Sequence, residues 1–461
     1  MFYLQNRWKL ENGRLHYYGL RNKPYMFKNV VKLTKSQDRI IKNLPCKLSD
    51  SEIIIMKDLI GKQVVKSEEL RATPKSLKDA RFCKTCIAND FIIAGLEFDK
   101  NGQCPMCATK NETKHLKSVV PVKNTFEHSK KSRFDVAVFY TGGKDSTYLL
   151  YYLSKVLDLK VLALTWELPF MSDCARQSIE GAKKSLSNVE FIIRKVADED
   201  LKKIYKRLYS TAGNTCACPS LAYILFYPEL VANKVPYFVA GNEPAQLVGL
   251  YYNHMAPKIA YTFGNNKFLN AIINLGRILT LRPPLKRGQF HTLATMRQLA
   301  YGDNFIKNLA GYGNQLVQKV VDAIHQVPSI VKPLKRAIRS SSLSGNIPAF
   351  VQVDLNEICG GHYDWRKIKD LIISQCGWVA PEKTDKGLHT SCNIEKCKEY
   401  SQFIRFYNME SNMIPFSALE ISLASRDKAI TREEAIAELN SALGFSLDEP
   451  PECAIMKEYI K

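Results

Sequence analysis

The stretch FDVAVFYTGGKDST, residues 134–147, decides how the chain reads. Phe134 to Tyr140 is an apolar run interrupted only by Asp135, which suits a strand buried on both faces. The run ends in Thr141-Gly142-Gly143, and the residues from Lys144 onward open a helix to about Leu157. Two adjacent glycines let the backbone turn tightly and approach a bound group with no Cβ in the way. The helix start behind them offers N–H donors and the positive end of its dipole. Lys144 adds a cation, Ser146 and Thr147 add hydroxyls, and Asp145 is a candidate Mg²⁺ ligand. These features together predict a phosphate site. It is not a Walker A loop, whose first glycine and post-lysine hydroxyl would fall at Val138 and Asp145.

Working outward, a strand–helix rhythm continues to Asn242. Strands are expected at Leu159–Trp166, Val189–Val196 and Pro236–Ala240, and helices at Ser172–Leu186, Asp200–Tyr209 and Ser220–Ala232. That alternation predicts an α/β fold, a doubly wound parallel sheet covered on both faces, with ligand bound beyond the carboxyl ends of the strands. Trp166, Gly241, Asn242 and Glu243 then fall on the same edge as the loop. For Trp166, plain core packing stays open.

Five segments follow from changes in pattern. Residues 1–75 form a small module, with a hairpin at Glu11-Asn12-Gly13, helices over Leu33–Leu44 and from Asp50/Ser51 to Leu59, and a wing strand at Gln63–Val65. Residues 76–115 hold a cysteine ribbon and 116–265 the phosphate-binding core. Residues 266–345 form a basic helical insertion, broken at Pro283-Pro284 and closed by a flexible link at Ser340–Gly345. Residues 346–461 form a mixed C-terminal part that includes a capping box at Thr431–Glu434 and would complete the acceptor site.

The ribbon rests on spacing. Cys83-x-x-Cys86 and Cys104-x-x-Cys107 have the spacing of a four-thiolate zinc site, with Asn101-Gly102 turning the chain before the second pair. Cys216 and Cys218 form a Cys-x-Cys pair, which Cys392 and Cys359 could join in space. Two readings stand for these cysteines: a persulfide carrier or iron–sulfur ligand set, or buried small apolar groups. His389 is the one histidine singled out, in a loop with Lys386 and Gly387.

The 461 residues carry 66 Lys and Arg against 45 Asp and Glu, a net charge of +21, so anionic partners are expected. No apolar run is long enough to span a membrane, and the charged start MFYLQNRWK lacks a signal peptide's apolar centre. A cytoplasmic protein is expected, probing RNA or peptide partners through the basic insertion and the first module.

Thr141–Ser146 resembles the Ser-Gly-Gly-x-Asp-Ser signature of the PP-loop ATP pyrophosphatases, with Thr141 in place of the leading serine. The resemblance implies the PP-loop (HUP-like) fold and cofactors ATP and magnesium beside the zinc. It assigns catalysis to Lys144, Asp145 and Ser146, and ATP contacts to Thr141 through Thr147, Trp166, Gly241, Asn242 and Glu243. The first module resembles the winged-helix-like recognition modules of some peptide-modifying enzymes. Residues 80–445 resemble the N-acetyl sugar amidotransferases of surface-polysaccharide biosynthesis. The ribbon, the loop, Gly213–Pro219 leading to Val235–Gln246, and Tyr363–Arg366 with Gly377-Trp378 carry that resemblance. It implies adenylation of a sugar acetamido oxygen and displacement of AMP by ammonia from a separate glutaminase subunit; a homo-oligomer is expected as well. The alternative keeps adenylation but delivers sulfur through Cys216 and Cys218, to a thioamide or to tRNA. A third reading is a zinc-containing binding protein without catalysis.

Overall fold

The computed structural model describes residues 1–22, 29–69, 71–109, 126–212, 217–242, 245–246, 252, 267–286, 288–302, 315–381 and 391–461. Strands β1 (Tyr3–Leu4), β2 (Trp8–Glu11), β3 (Arg14–Tyr17), β4 (Val30–Lys32) and β5 (Val65–Lys66) build the first module with helices Lys35–Lys42 and Asp50–Gly61. The hairpin forms at Asn12-Gly13, both at positive φ (50° and 70°), as its mirror-image turn requires. The second helix is capped by Ser49 rather than by Asp50 or Ser51. Its hydroxyl accepts from Glu52 N while Glu52 closes a reciprocal box. The wing strand β5 pairs antiparallel with β1. Trp8, Leu15, Tyr17, Ile40, Met56, Leu59 and Val65 give this module its own small core.

The module is tied to the C-terminal part by one buried cation. Arg7 donates to the carbonyls of Phe406 and Tyr407, both at 2.7 Å, at the end of helix Glu395–Tyr407. Those carbonyls lie at the negative end of the helix dipole, where Phe406 O also accepts from Met409 N at 3.1 Å, so a guanidinium there charge-complements the helix end. Burial pulls the Arg7 pKa down to about 10.

Strands β6 (Val136–Phe139), β7 (Val161–Trp166), β8 (Val189–Arg194), β9 (Tyr237–Asn242) and β10 (Ala349–Asp354) form one sheet in the order β10-β9-β6-β7-β8, every pair parallel. Alternate side chains feed two cores. Val136, Val138, Val161 and Ala163 face the helices Lys144–Tyr151, Asp173–Ser185 and Trp365–Cys376. Ala137, Leu162, Leu164 and Phe238 face Asp198–Ala212, Cys218–Ala232 and the insertion. Both faces are covered, as the doubly wound reading expects. The loop helix ends at Tyr151, and a single π-turn, Tyr152–Val156, completes the expected length.

β10 had no counterpart in the strand pattern. It makes residues 266–345 the crossover between β9 and β10, packed through Leu285, Leu293, Met296, Val321 and Leu334 onto the second core. The expected flexible link does not exist: helix Pro328–Ser344 runs through it and stops at Gly345 in the left-handed region. Small serines allow this close packing, and Ser341 Oγ lies 2.8 Å from Tyr227 Oη. The capping box at Thr431 and Glu434 forms as expected. No helix of the described residues is long and apolar enough to cross a membrane.

Candidate active site

In the sheet order, β6 is the first strand laid down. The chain moves to one side for β7 and β8, then returns to the other for β9 and β10. The carboxyl edge between β6 and β9 is therefore the topological switch point, where such sheets open a crevice. The loop Thr141–Gly143 leaves β6 there and Gly143 caps the helix Lys144–Tyr151.

Close packing and hydrogen bonds fix the loop. Gly142 sits at φ +72°, and a Cβ there would lie 2.5 Å from the Ala175 carbonyl oxygen, so only glycine fits against helix Asp173–Ser185. From the C-terminal part, the Trp378 indole Nε1 donates to Gly142 O at 3.0 Å. Within the loop, Gly143 N donates to Thr141 Oγ1 (3.3 Å) and Thr147 Oγ1 donates to Gly143 O (2.8 Å). Ser146 Oγ lies 3.2 Å from Thr141 Oγ1 and donates to Gly143 O at 3.1 Å. Gly143 has no side chain to cap the helix, so the first-turn amides have no side-chain acceptor from the cap position. That is the chemistry of an anion cradle.

Lys144 does not reach into the mouth of the loop. It is 4 % exposed, with Nζ 3.1 Å from Tyr363 Oη and over the rings of Tyr363 (4.7 Å) and Trp365 (4.8 Å). Nζ also pairs with Asp145 Oδ1, which accepts in addition from Tyr363 Oη. Gln246 bridges Asp145 Oδ2 (3.2 Å) and the buried Glu420 (2.8 Å). Ammonium, phenol and carboxylate thus form one network behind the loop, desolvated by aromatic rings. Tyr363, Trp365, Trp378, Gln246 and Glu420 acquire roles here that residue type alone does not assign. The tryptophans and Tyr363 stand out in the sequence as a motif, but their partners are more than 200 residues away.

The other expected residues divide. Trp166 ends β7 and is buried, its indole N–H without a hydrogen-bond partner among the described residues. Glu167 bridges Arg176 (2.6 Å) and Lys195 (3.0 Å). Its partial burial alone would raise the carboxyl pKa, but the bonds from Lys195 and Arg176 bring it below the usual value. Gly241 and Asn242 end β9, and a Cβ at Gly241 would lie 2.8 Å from Leu149 on the loop helix. Glu243, Cys216, His389, Lys386 and Gly387 lie outside the described residues.

Two of the remaining cysteines reach the same sheet edge. Cys392 pairs antiparallel with Met171, between the bonds Ser172 N to Ser391 O (3.1 Å) and Asn393 N to Phe170 O (2.8 Å). This segment follows β7, and Cys174 lies two residues on, its Sγ 3.2 Å from Ser172 Oγ. Cys218 opens helix Cys218–Ala232 and is half-buried.

The ribbon brings together four thiols that could hold a metal ion. The sulfurs of Cys83, Cys86, Cys104 and Cys107 all lie within 4.8 Å of one another, with Cys86 and Cys104 3.8 Å apart. Four thiolates at about 2.3 Å from one tetrahedral ion lie about 3.8 Å apart, so the set fits a single ion. Backbone N–H groups of Thr85 and Cys104 point at Cys83 Sγ (3.4 and 3.3 Å), and Ala88 N points at Cys86 Sγ (3.4 Å). Such donors orient and stabilise thiolates around a metal. Gly102 at φ +74° and Asp99, which accepts from Asn101 N and Gln103 N, make the turn into the second pair. Arg432 and Arg426 then hold the ribbon to the C-terminal part through the carbonyls of Cys86 and Met106.

No protein-family model and no curated protein matches the chain. Among solved structures it is similar to the U34-tRNA thiolase NcsA from Methanococcus maripaludis with its [4Fe-4S] cluster, at 15 % identity over 56 % of this chain and 88 % of that one, with a TM-score of 0.22.

Proposed function

We propose that this chain is an ATP-using enzyme of the PP-loop type. It would bind the pyrophosphate part of ATP on Thr141–Ser146 and promote attack of an acceptor oxygen on the α-phosphorus, releasing pyrophosphate and leaving an adenylate. The observation that carries this reading is the position of a glycine-built helix start, with no capping side chain, at the switch point of a parallel sheet. Backbone amides would supply the donors that an oxyanion needs, already oriented before reaction. Lys144 would act from behind, through the field of its buried ammonium, rather than as a mobile arm. Asp145 is the carboxylate assigned to Mg²⁺, in exchange for part of its present hydrogen bonding. Trp166, at the end of β7 and with its indole N–H lacking a hydrogen-bond partner among the described residues, is assigned to the adenine side. The four ribbon cysteines would hold zinc as a structural ion, since all four positions are filled by protein.

For the second step, sulfur delivery is favoured over nitrogen. The backbone pairing of Met171 with Cys392, on the segment that follows β7 and leads to Cys174, supports that choice by placing two cysteines along the chain beyond the carboxyl end of β7. Under this reading Cys392 is the sulfur-handling residue, with Cys218 and Cys216 as its expected companions. The amidotransferase reading, with an N-acetylated sugar acceptor and ammonia from a glutaminase, rests on resemblance alone and is the competing outcome. Incubation with ATP, candidate acceptors and either sulfide or ammonium decides between them by mass spectrometry. AMP and pyrophosphate with a sulfur-for-oxygen exchange support the proposal. ADP and phosphate as products refute the adenylation step, and a nitrogen-for-oxygen exchange refutes the sulfur step.

A further inference from the structure

The first helix of the crossover, Lys267–Leu279, is turned with its polar side to the protein and its apolar side to water. Its hydrogen-bonded anchors are polar, with Ile273 packed onto the second core beside them. The buried Arg277 donates to Pro283 O (2.7 Å) and Ser342 O (3.1 Å), and the Asn274 side chain both donates to Leu285 O (3.1 Å) and accepts from Leu285 N (2.7 Å). Opposite these, Phe268, Ile272, Leu275 and Leu279 follow one another at helical spacing and are 76, 50, 59 and 76 % exposed. Leu281, just past the helix end, is 92 % exposed. A surface helix normally buries such a stripe, and a contiguous exposed apolar patch marks an interaction surface.

Charge identifies what covers it. Between Glu243 and Asp354 the sequence holds thirteen Lys and Arg but only Asp303 and Asp322 as acids. Lys286 on the loop beyond the helix, and Lys332, Arg336 and Arg339 on helix Pro328–Ser344, are exposed. That helix is joined to the first by the bond from Arg277 to Ser342. A second copy of this chain would bring two like-charged surfaces together, which opposes self-docking. A nucleic acid would match the charge but leave the aliphatic stripe in water. An anionic bilayer surface takes both: acyl chains receive the stripe and headgroups receive the cations.

We propose that Lys267–Leu279 is an interfacial helix by which the chain docks on anionic lipid membranes. At about 20 Å long it lies in the plane of the interface and does not span it. The test is sedimentation of the full chain with vesicles of phosphatidylcholine alone or mixed with phosphatidylglycerol. The protein should pellet with the mixed vesicles and release as salt rises. L275S/L279S, and separately F268S, should each weaken that binding, the double variant by at least about tenfold. Circular dichroism and melting temperature should stay unchanged, because neither variant touches a buried contact. K332E/R336E/R339E should weaken it too, on mixed vesicles only. Three results overturn the proposal: no pelleting with mixed vesicles, pelleting insensitive to L275S/L279S, or a concentration-dependent dimer that the same variant dissolves without any vesicle binding. Retention on RNA with none on vesicles overturns it as well.

Discussion

The substitution Trp378→Phe tests whether the C-terminal part shapes the Thr141–Gly143 loop and the ATP site proposed there. The indole N–H donates to the carbonyl of Gly142 at 3.0 Å, and both groups are buried. Phenylalanine keeps the ring in place but removes the donor, leaving a buried carbonyl unsatisfied at a cost of about 1–3 kcal/mol. The smaller ring adds about 1 kcal/mol for imperfect refilling. If the bond preorganises the loop, its share of that cost appears as weaker ATP binding, about 5- to 150-fold, and the cavity share as a lower melting temperature. Calorimetric titration with ATP and Mg²⁺ measures the first and thermal unfolding the second. Trp8→Phe is the control, because Trp8 is equally buried and its indole N–H has no hydrogen-bond partner among the described residues. It should lower the melting temperature and leave ATP affinity untouched. Equal ATP affinity in Trp378→Phe and the parent chain, with a melting loss matching the control, would refute the argument and reduce Trp378 to core packing.

Gly142→Val combines a left-handed backbone with a 2.5 Å approach to Ala175 O, so it should cost about 2–5 kcal/mol in local strain and abolish ATP binding in titration. Gly13→Ala, at φ +70° with nothing within 4 Å of its Cβ, should cost only about 1 kcal/mol in thermal unfolding and leave binding alone. Elemental analysis should find one zinc per chain held by Cys83, Cys86, Cys104 and Cys107, and either a strong chelator or Cys104→Ser should lower the melting temperature. Burial against Phe350, ring centroids 4.7 Å apart, pulls the His291 pKa from 6.5 down to about 4. The fold therefore favours neutral imidazole. Its contribution is fully present above about pH 6.5 and is lost by about 1–3 kcal/mol as pH falls through 4. His291→Phe should flatten that part of a melting-temperature profile against pH.

Local chemistry made much of this molecule legible in its sequence. The loop announces itself because a diglycine bend between a buried strand and a helix must be written in adjacent residues. The ribbon does so because two turns, each presenting two thiols, need fixed short spacings. The hairpin at Asn12-Gly13 and the box at Thr431 and Glu434 are local for the same reason. The link expected at Ser340–Gly345 failed because serine's weak helix preference was overruled by packing against Tyr227 and Arg277, which lie 114 and 65 residues away. β10 was missed because a strand's partner is chosen across the sheet, and here an 80-residue basic insertion, 266–345, intervenes between β9 and β10.

Sequence alone determined the strand–helix alternation from β6 to β9, the diglycine turn after β6 and the spacing of the four ribbon thiols, since each depends on neighbours along the chain. Tertiary structure alone decided that Lys144 lies behind the loop between Tyr363 and Trp365, that Trp378 holds Gly142, and that Cys392 sits beside Met171. It also decided that the apolar stripe of Lys267–Leu279 faces outward. Periodicity shows that a helix has two faces. Which face turns inward depends on the anchors it finds, and here Arg277 and Asn274 found theirs on distant backbone.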